Sequence, residues 1–345
     1  MSKQDLSLDD IWLQGRILSL DPLVTISSAV EGAPAGFASF IPELIGDRPG
    51  LHLLHHVWTL EQGNAGWIAE GVRSARAALP GHDFIMLASD SDEVLAYTAC
   101  GERCMVASAL TMLDERVWRP MPPDPRMPLF DAAYVARLDT MKRHELAAEI
   151  DRVLLIYGYP LEADHKVSLN RTRELLPRAT LANHEAGNGN YAYLNATQVA
   201  TLLAQSGVGL CLSAVEGCMR ASMEYLLCGL PVVSTKSVGG RDRYLGTGYC
   251  RIVEDDPGAI AQAAKALKDL NLDRNRIRAH VAEIIGFERY NFLLTINKVM
   301  RKHFGLSHDL FPTIEPFLGS LAVFERASAH QAKAKQKLLG HPQPV

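Results

Sequence analysis

The 345-residue chain lacks any apolar run near the ~18–20 residues that a membrane-crossing helix requires. It also lacks the basic start, apolar stretch and small-residue cleavage site of a secretory leader, since it opens on the polar, acidic MSKQDLSLDD. The expectation is a cytoplasmic protein, with peripheral membrane or partner-subunit contact left open. Cysteine is sparse. The six cysteines, at 100, 104, 211, 218, 228 and 250, include no CxxC pair, and the 12 histidines show no HExxH spacing, so neither a metal site nor a bound cofactor is expected. Cys211 and Cys228 sit in apolar stretches and read as buried thiols. Positive charge is not in excess either. A formal net charge of −4 argues against a dedicated nucleic-acid binder. No GxGxxG follows a predicted strand, which disfavours a dinucleotide-dependent dehydrogenase.

What is present is alternation. Short β-branched runs predict strands at Leu23 to Ser28, Leu51 to Val57, Phe84 to Ala88 and Met105 to Ser108. Helices are predicted at Phe37 to Ile45, at Ala65 to Leu79 and from Ser91. Strand alternating with helix implies a parallel sheet. Five prolines between Arg119 and Pro128 then forbid both a helix interior and an inner strand, which predicts an extended linker and a domain boundary. Alternation resumes with strands at Ala132 to Ala136, Arg152 to Tyr157, Thr180 to Ala182, Val208 to Leu212 and Pro231 to Thr235. The helices between them are His144 to Ile150, Leu169 to Leu176, Asn195 to Gln205 with an asparagine cap, and Cys218 to Cys228, which Gly229 stops. Later helices are predicted at Pro257 to Leu270 and Ala327 to Leu339. The expected division is a small N-terminal domain over 1–125, a second domain over 126–305 and a tail over 306–345 that packs back on the first.

The segment Ser213 to Thr235 carries the chemistry. It predicts a strand, a glycine turn holding Glu216, a helix holding Glu224, a glycine stop and another strand. Eight residues of helix separate the two carboxylates by roughly 12 Å, a span suited to an elongated ligand gripped at two points. Gly217 leaves room for close backbone approach, and free N–H groups at a helix start attract phosphate. Spacing alone leaves the alternative of a solvated turn residue and an ordinary exposed helix residue.

Glu, seven residues, Glu, then the Gly-Leu-Pro-Val-Val run from Gly229 to Val233 resembles the donor site of retaining GT-B glycosyltransferases, the glycogen-synthase-like group of families 1 and 4. The resemblance implies two Rossmann-like α/β domains with parallel sheets facing a central cleft. It implies that Glu224 accepts from ribose hydroxyls, that Glu216 meets sugar hydroxyls, and that amides near Gly217, Cys218 and Met219 touch sugar or phosphate. The family often has Glu-Gly-Phe-Gly here; this chain has Glu-Gly-Cys-Met. Tyr134 to His144 resembles the family's Gly-Arg-Leu…Lys segment, so that Arg137 and Lys142 would grip the diphosphate, with Ala136 in place of the glycine. Tyr193 and Leu194 would lie beside the base, and Gly239 and Gly240 would line the cleft. The N-terminal half matches by architecture only. There the glycine loop with Gly32 and Gly36, and His55 and His56 at a strand end, are acceptor-side candidates.

The function expected from these residues is metal-independent, retaining transfer from a nucleoside-diphosphate sugar such as a UDP- or GDP-sugar. The acceptor is a glycan, lipid or protein hydroxyl, as in glycan biosynthesis. A sugar-nucleotide epimerase on the same fold and a non-catalytic sugar-nucleotide-binding subunit are the alternatives.

Overall fold

The structure is a computed structural model that describes residues 6–42, 48–56, 64–108, 112–158, 165–217, 219–246, 248–305, 311–314, 317 and 323–340. In chain order the first elements are β1 (Trp12–Leu20), β2 (Leu23–Ala29), β3 (Gly50–His56), α1 (Asn64–Ala78), β4 (His82–Ala88), α2 (Ser91–Ala99) and β5 (Cys104–Val106). Then come β6 (Phe130–Val135), β7 (Val153–Ile156), α3 (His165–Leu175), β8 (Thr180–Leu181), α4 (Ala182–Ala186), α5 (Ala196–Leu203), β9 (Ser206–Cys211), α6 (Arg220–Leu227), β10 (Val232–Thr235), β11 (Cys250–Val253) and α7 (Pro257–Asp269). The chain ends on α8 (Arg274–Phe304), α9 (Phe311–Ile314), β12 (Val323–Arg326) and α10 (Ala327–Leu339).

These elements form two compact units, Met1–Met112 with Phe287–Val345, and Leu113–Gly286. The division precedes the proline-rich stretch. Leu113 and Trp118 are buried, and Arg278 Nη2 donates to the Glu115 carbonyl at 2.9 Å, which ties that stretch into the second unit. The other boundary falls inside α8, not at residue 305. Beyond Phe287 that helix buries Phe292, Leu293, Ile296 and Met300 against Val24, Leu51, Leu53 and Ile85 of the first unit.

In the first unit a six-stranded sheet runs β12-β1-β2-β3-β4-β5. Strands β2 to β5 are parallel, as the alternation predicts, but β1 pairs antiparallel with both β2 and β12, so this sheet is mixed. The helix expected from Phe37 to Ile45 is instead a 3-10 turn at Gly36–Ser39, and residues 43–47 lie outside the described residues. Helix α10 lays Ala327, Ala334 and Leu338 on Leu13 and Ile17 of β1.

The second unit holds a fully parallel sheet in the order β11-β10-β9-β6-β7-β8. The chain winds outward from β6 through β7 to β8, then crosses back to place β9 on the other flank of β6. The strand order therefore reverses between β6 and β9, and in open α/β sheets the crevice outside the carboxyl ends at such a reversal is where ligands bind. Among the described residues, no helix is long and apolar enough to cross a membrane.

Candidate active site

Strand β6 ends at Val135, and the chain beyond it is held at several points. The Ala136 N–H donates to the Ile156 carbonyl at 3.0 Å. The Tyr134 hydroxyl donates to the Lys142 carbonyl, and the Val135 N–H donates to the Tyr225 hydroxyl at 2.6 Å. Thr140–Lys142 and His144–Ala147 are 3-10 turns, the second standing where a helix to Ile150 is predicted. Between them Arg143 takes a left-handed φ of 49°, a conformation that costs a non-glycine residue energy unless its surroundings enforce it. Here three bonds do so. Arg143 Nε donates to the Leu212 carbonyl at 2.5 Å, Nη1 to Asp255 Oδ2 at 2.6 Å and Nη2 to Thr235 Oγ1 at 2.6 Å.

The neighbouring exits, after β9 and β10, are zipped together. The Glu216 N–H donates to the Val238 carbonyl and the Val238 N–H to the Ala214 carbonyl, both at 2.9 Å. Gly239 follows at φ 104°, which only glycine adopts readily, and starts the 3-10 turn Gly240–Tyr244. Arg241 in that turn is wholly buried. Its Nη1 donates to the Ser213 carbonyl at 2.7 Å, its Nη2 to the Thr235 carbonyl, and its Nε to Asp242 Oδ1 at 2.8 Å. A buried charge is costly unless paired and hydrogen-bonded, and these three partners satisfy it.

Lys142 and Glu216, 7% and 5% exposed, meet at this junction. Lys142 Nζ donates to Glu216 Oε1, and Ser213 Oγ donates to the same oxygen at 2.9 Å. Burial foremost, then the Arg137 charge, push the Lys142 ammonium down to about 8. The Asp139 carboxylate opposes that shift. Glu224, the fifth residue of α6, is 8% exposed and burial pushes its carboxyl up to about 7, although Arg220 Nε stands 3.7 Å from Oε1. It is not the ordinary exposed helix residue of the alternative. His144, fully buried beside Tyr134, is pushed down to about 4 by burial and by the Arg171 and Lys142 charges, so it is neutral.

The structure thus gathers Lys142, Glu216, Gly217, Gly239 and Gly240 at adjoining strand exits. Arg137 stands half-exposed on the first of these loops, paired with Asp139 at 3.0 Å and donating to Met141 Sδ at 3.6 Å. Met219 is buried and precedes α6, which starts at Arg220, two residues later than predicted; Cys218 lies outside the described residues. Tyr193 and Leu194 separate. Tyr193 is 75% exposed, whereas Leu194 is buried and lines an apolar cavity of about 510 Å³ with Phe130 and Leu154. Their loop is pinned by Asn183, which accepts from the Tyr157 N–H and donates to the Ala192 carbonyl, both at 2.9 Å. His55 and His56 end β3 half-buried in the first unit. Gly32 and Gly36 lie there in the turn after β2, Gly36 packed on Ser27. Cys211 and Cys228 are buried thiols, both pushed up to about 12 by burial. Arg143, Arg241, Ser213, Tyr134 and Tyr225 organise the site without having been read from the sequence as functional.

Comparison with known proteins adds to this geometry. Residues 128–284 match the family model "Glycosyl transferases group 1". Over that segment the resemblance read from Glu216, Glu224 and the Gly229 to Val233 run is borne out. The matched segment spans the whole parallel sheet described above. No curated protein matches the chain. Among solved structures, HepE of Anabaena in complex with UDP is similar at 17% identity and TM-score 0.46, over 74% of this chain and 77% of that one. The pneumococcal O-GlcNAc transferase GtfA, in complex with UDP and GlcNAc, is similar at 14% identity and TM-score 0.47, over 77% of this chain and 59% of that one. An α,α-trehalose-phosphate synthase (UDP-forming) from Burkholderia xenovorans is similar at 12% identity and TM-score 0.49, over 78% and 72%.

Proposed function

We propose that the protein transfers a sugar from a nucleoside-diphosphate sugar to an acceptor hydroxyl, with retention of configuration and without a metal ion. The observation that supports this most is the convergence of Lys142 and Glu216 at the reversal between β6 and β9, inside the matched segment. Lys142 and Arg137 meet the leaving diphosphate, Glu216 receives hydroxyls of the donor sugar, and Glu224 receives the ribose hydroxyls. As the bond from the anomeric carbon to the phosphate oxygen breaks, negative charge grows on the diphosphate and the two cations stabilise it. The acceptor oxygen then bonds to the anomeric carbon from the same face, and its proton passes to the departing phosphate oxygen. The protein supplies the cations, so the reaction needs no divalent ion.

The test is nucleotide release from UDP-, GDP- and ADP-sugars with and without candidate acceptors, EDTA present, followed by assignment of the anomeric configuration of the product. Lys142→Ala and Arg137→Ala are each expected to lower turnover by roughly 10²–10³-fold, the cost of losing one electrostatic donor. Near-wild-type turnover in both variants, or loss of activity in EDTA, rules the mechanism out. Tight nucleotide binding without turnover on any acceptor favours a binding subunit instead.

A further inference from the structure

Glu216 and Lys142 are each other's charge partner in the structure, yet the proposed reaction assigns each to a different part of the donor. Both side chains are more than nine-tenths buried, and the Glu216 oxygen that takes the Lys142 proton donor also takes the Ser213 hydroxyl. The carboxylate is fixed in place. Its backbone N–H is bonded to Val238, and the loop below is clamped by Arg241 on the Ser213 carbonyl and by Arg143 on the Leu212 carbonyl. Lys142 is the mobile partner, on a flexible four-carbon stem. A phosphate that draws the ammonium away leaves Glu216 buried without a cation, which is strongly unfavourable unless another donor replaces it. Ser213 already donates to Glu216 and stays in place. The hydroxyls of an attached sugar supply the replacement.

We infer that the Lys142–Glu216 pair makes the site select the intact sugar nucleotide over the nucleoside diphosphate it releases. With the sugar attached, the diphosphate takes Lys142 while sugar hydroxyls take Glu216, and neither charge is stranded. With the sugar gone, the diphosphate competes with Glu216 for Lys142 and is held less tightly, so the product leaves. This rests on the donor-site assignment proposed above. It also has a consequence opposite to a simple loss of contact: removing the Glu216 charge strengthens binding of the bare diphosphate.

The experiment is calorimetric titration of the full chain at pH 7 with UDP, GDP and ADP and with UDP-glucose, GDP-mannose and ADP-glucose. It compares wild type, Glu216→Gln, Ser213→Ala and the double variant Glu216→Gln/Lys142→Met. Glu216→Gln is expected to tighten the nucleoside diphosphate by about tenfold while weakening its sugar conjugate, so that the preference between them inverts. Ser213→Ala is expected to act in the opposite sense and loosen the diphosphate several-fold, because Glu216 then holds Lys142 harder. In the double variant the tightening disappears. Wild type that binds none of the six ligands overturns the donor-site assignment itself. Wild type that binds them, with Glu216→Gln leaving the diphosphate unchanged or weaker, overturns the selection by the pair alone. If Glu216→Gln does not fold, the sign of the Ser213→Ala effect decides the matter.

Discussion

Lys142 and Glu224 are two ionisable side chains moved toward neutrality by burial, from opposite directions. Lys142 falls from its ordinary 10.5 to about 8 and Glu224 rises from 4.5 to about 7. Below about 7 the Glu224 carboxyl is protonated and accepts poorly from ribose hydroxyls; above about 8 the ammonium loses the charge that holds phosphate. Nucleotide affinity is therefore expected to be greatest between these values and to fall on both sides, as titrations from pH 5.5 to 9.5 would reveal. Replacing Glu224 with Gln is expected to erase the acid limb only. The same residue bears on stability with a definite sign. A carboxyl whose folded value exceeds its unfolded one favours the folded state fully below 4.5 and loses that contribution as pH rises toward 7. Glu224→Gln should then raise the melting temperature at pH 8 while weakening nucleotide binding. An affinity that stays flat with pH in wild type would contradict both assignments.

At the scale of elements, β2, β3 and β4 of the first unit share a polar chain inside their sheet. Thr25 Oγ1 bonds His52 Nδ1 at 2.8 Å, and His52 Nε2 bonds His82 Nδ1 at 3.1 Å. Burial, then the His82 charge, push His52 down from 6.5 to about 3. A base whose folded value is lowered resists protonation only while folded, so stability is expected to drop as pH falls below 6.5 and to keep falling toward 3. Urea midpoints at pH 7.5 and pH 5, compared with a His52→Phe variant, would show a smaller loss in the variant; equal losses would refute the role. Which elements were legible follows from where their information resides. The tail helix is seen at Ala327–Leu339 as read from the sequence, and Asn195 caps α5 through a full capping box with Gln198, because these signals are local. In the second unit the apolar runs of β6, β7, β9 and β10 are bounded by turn residues and buried on both faces, so they stand out. Strand β1 was missed because Gly15 and Arg16 interrupt its apolar residues and one of its two partner strands lies about 310 residues away. Helix α8 was missed for another reason. Its buried Ile277, Val281, Ile285, Arg289, Leu293 and later residues recur every four positions, so the stripe advances about 40° each time and never gives a clean single face. At the candidate site, Lys142 and Glu216, which the structure brings into contact, were legible through the family's spacing and flanking run. Arg241 and Arg143 were not, since nothing local separates an arginine buried on carbonyl groups from one in solvent.

For the molecule as a whole, the first unit depends on the far end of the chain. Strand β12 completes its sheet against β1, His330 Nε2 lies 3.2 Å from the Leu13 carbonyl, and Gln331 Nε2 donates to the Phe40 carbonyl at 3.1 Å. Truncation after residue 322 is therefore expected to expose Leu13 and Ile17 and to lower the first unit's melting temperature by roughly 10 °C. The second unit, continuous from Leu113 to Gly286, should melt unchanged in the same calorimetric scan. A single unaltered transition in the truncated protein would show that β12 and α10 contribute little.

That arrangement also bears on how the protein is made. The second unit is complete in the nascent chain once Gly286 has emerged from the ribosome, whereas β1, translated earlier, gains its β12 partner only after Val323–Arg326 has followed. Until then an antiparallel-ready edge stands unpaired, the kind of surface that recruits strands from other chains. Of the two sheets, synthesis thus holds open the first-translated one the longer, and slow translation between Gly286 and Arg326 would lengthen that exposure.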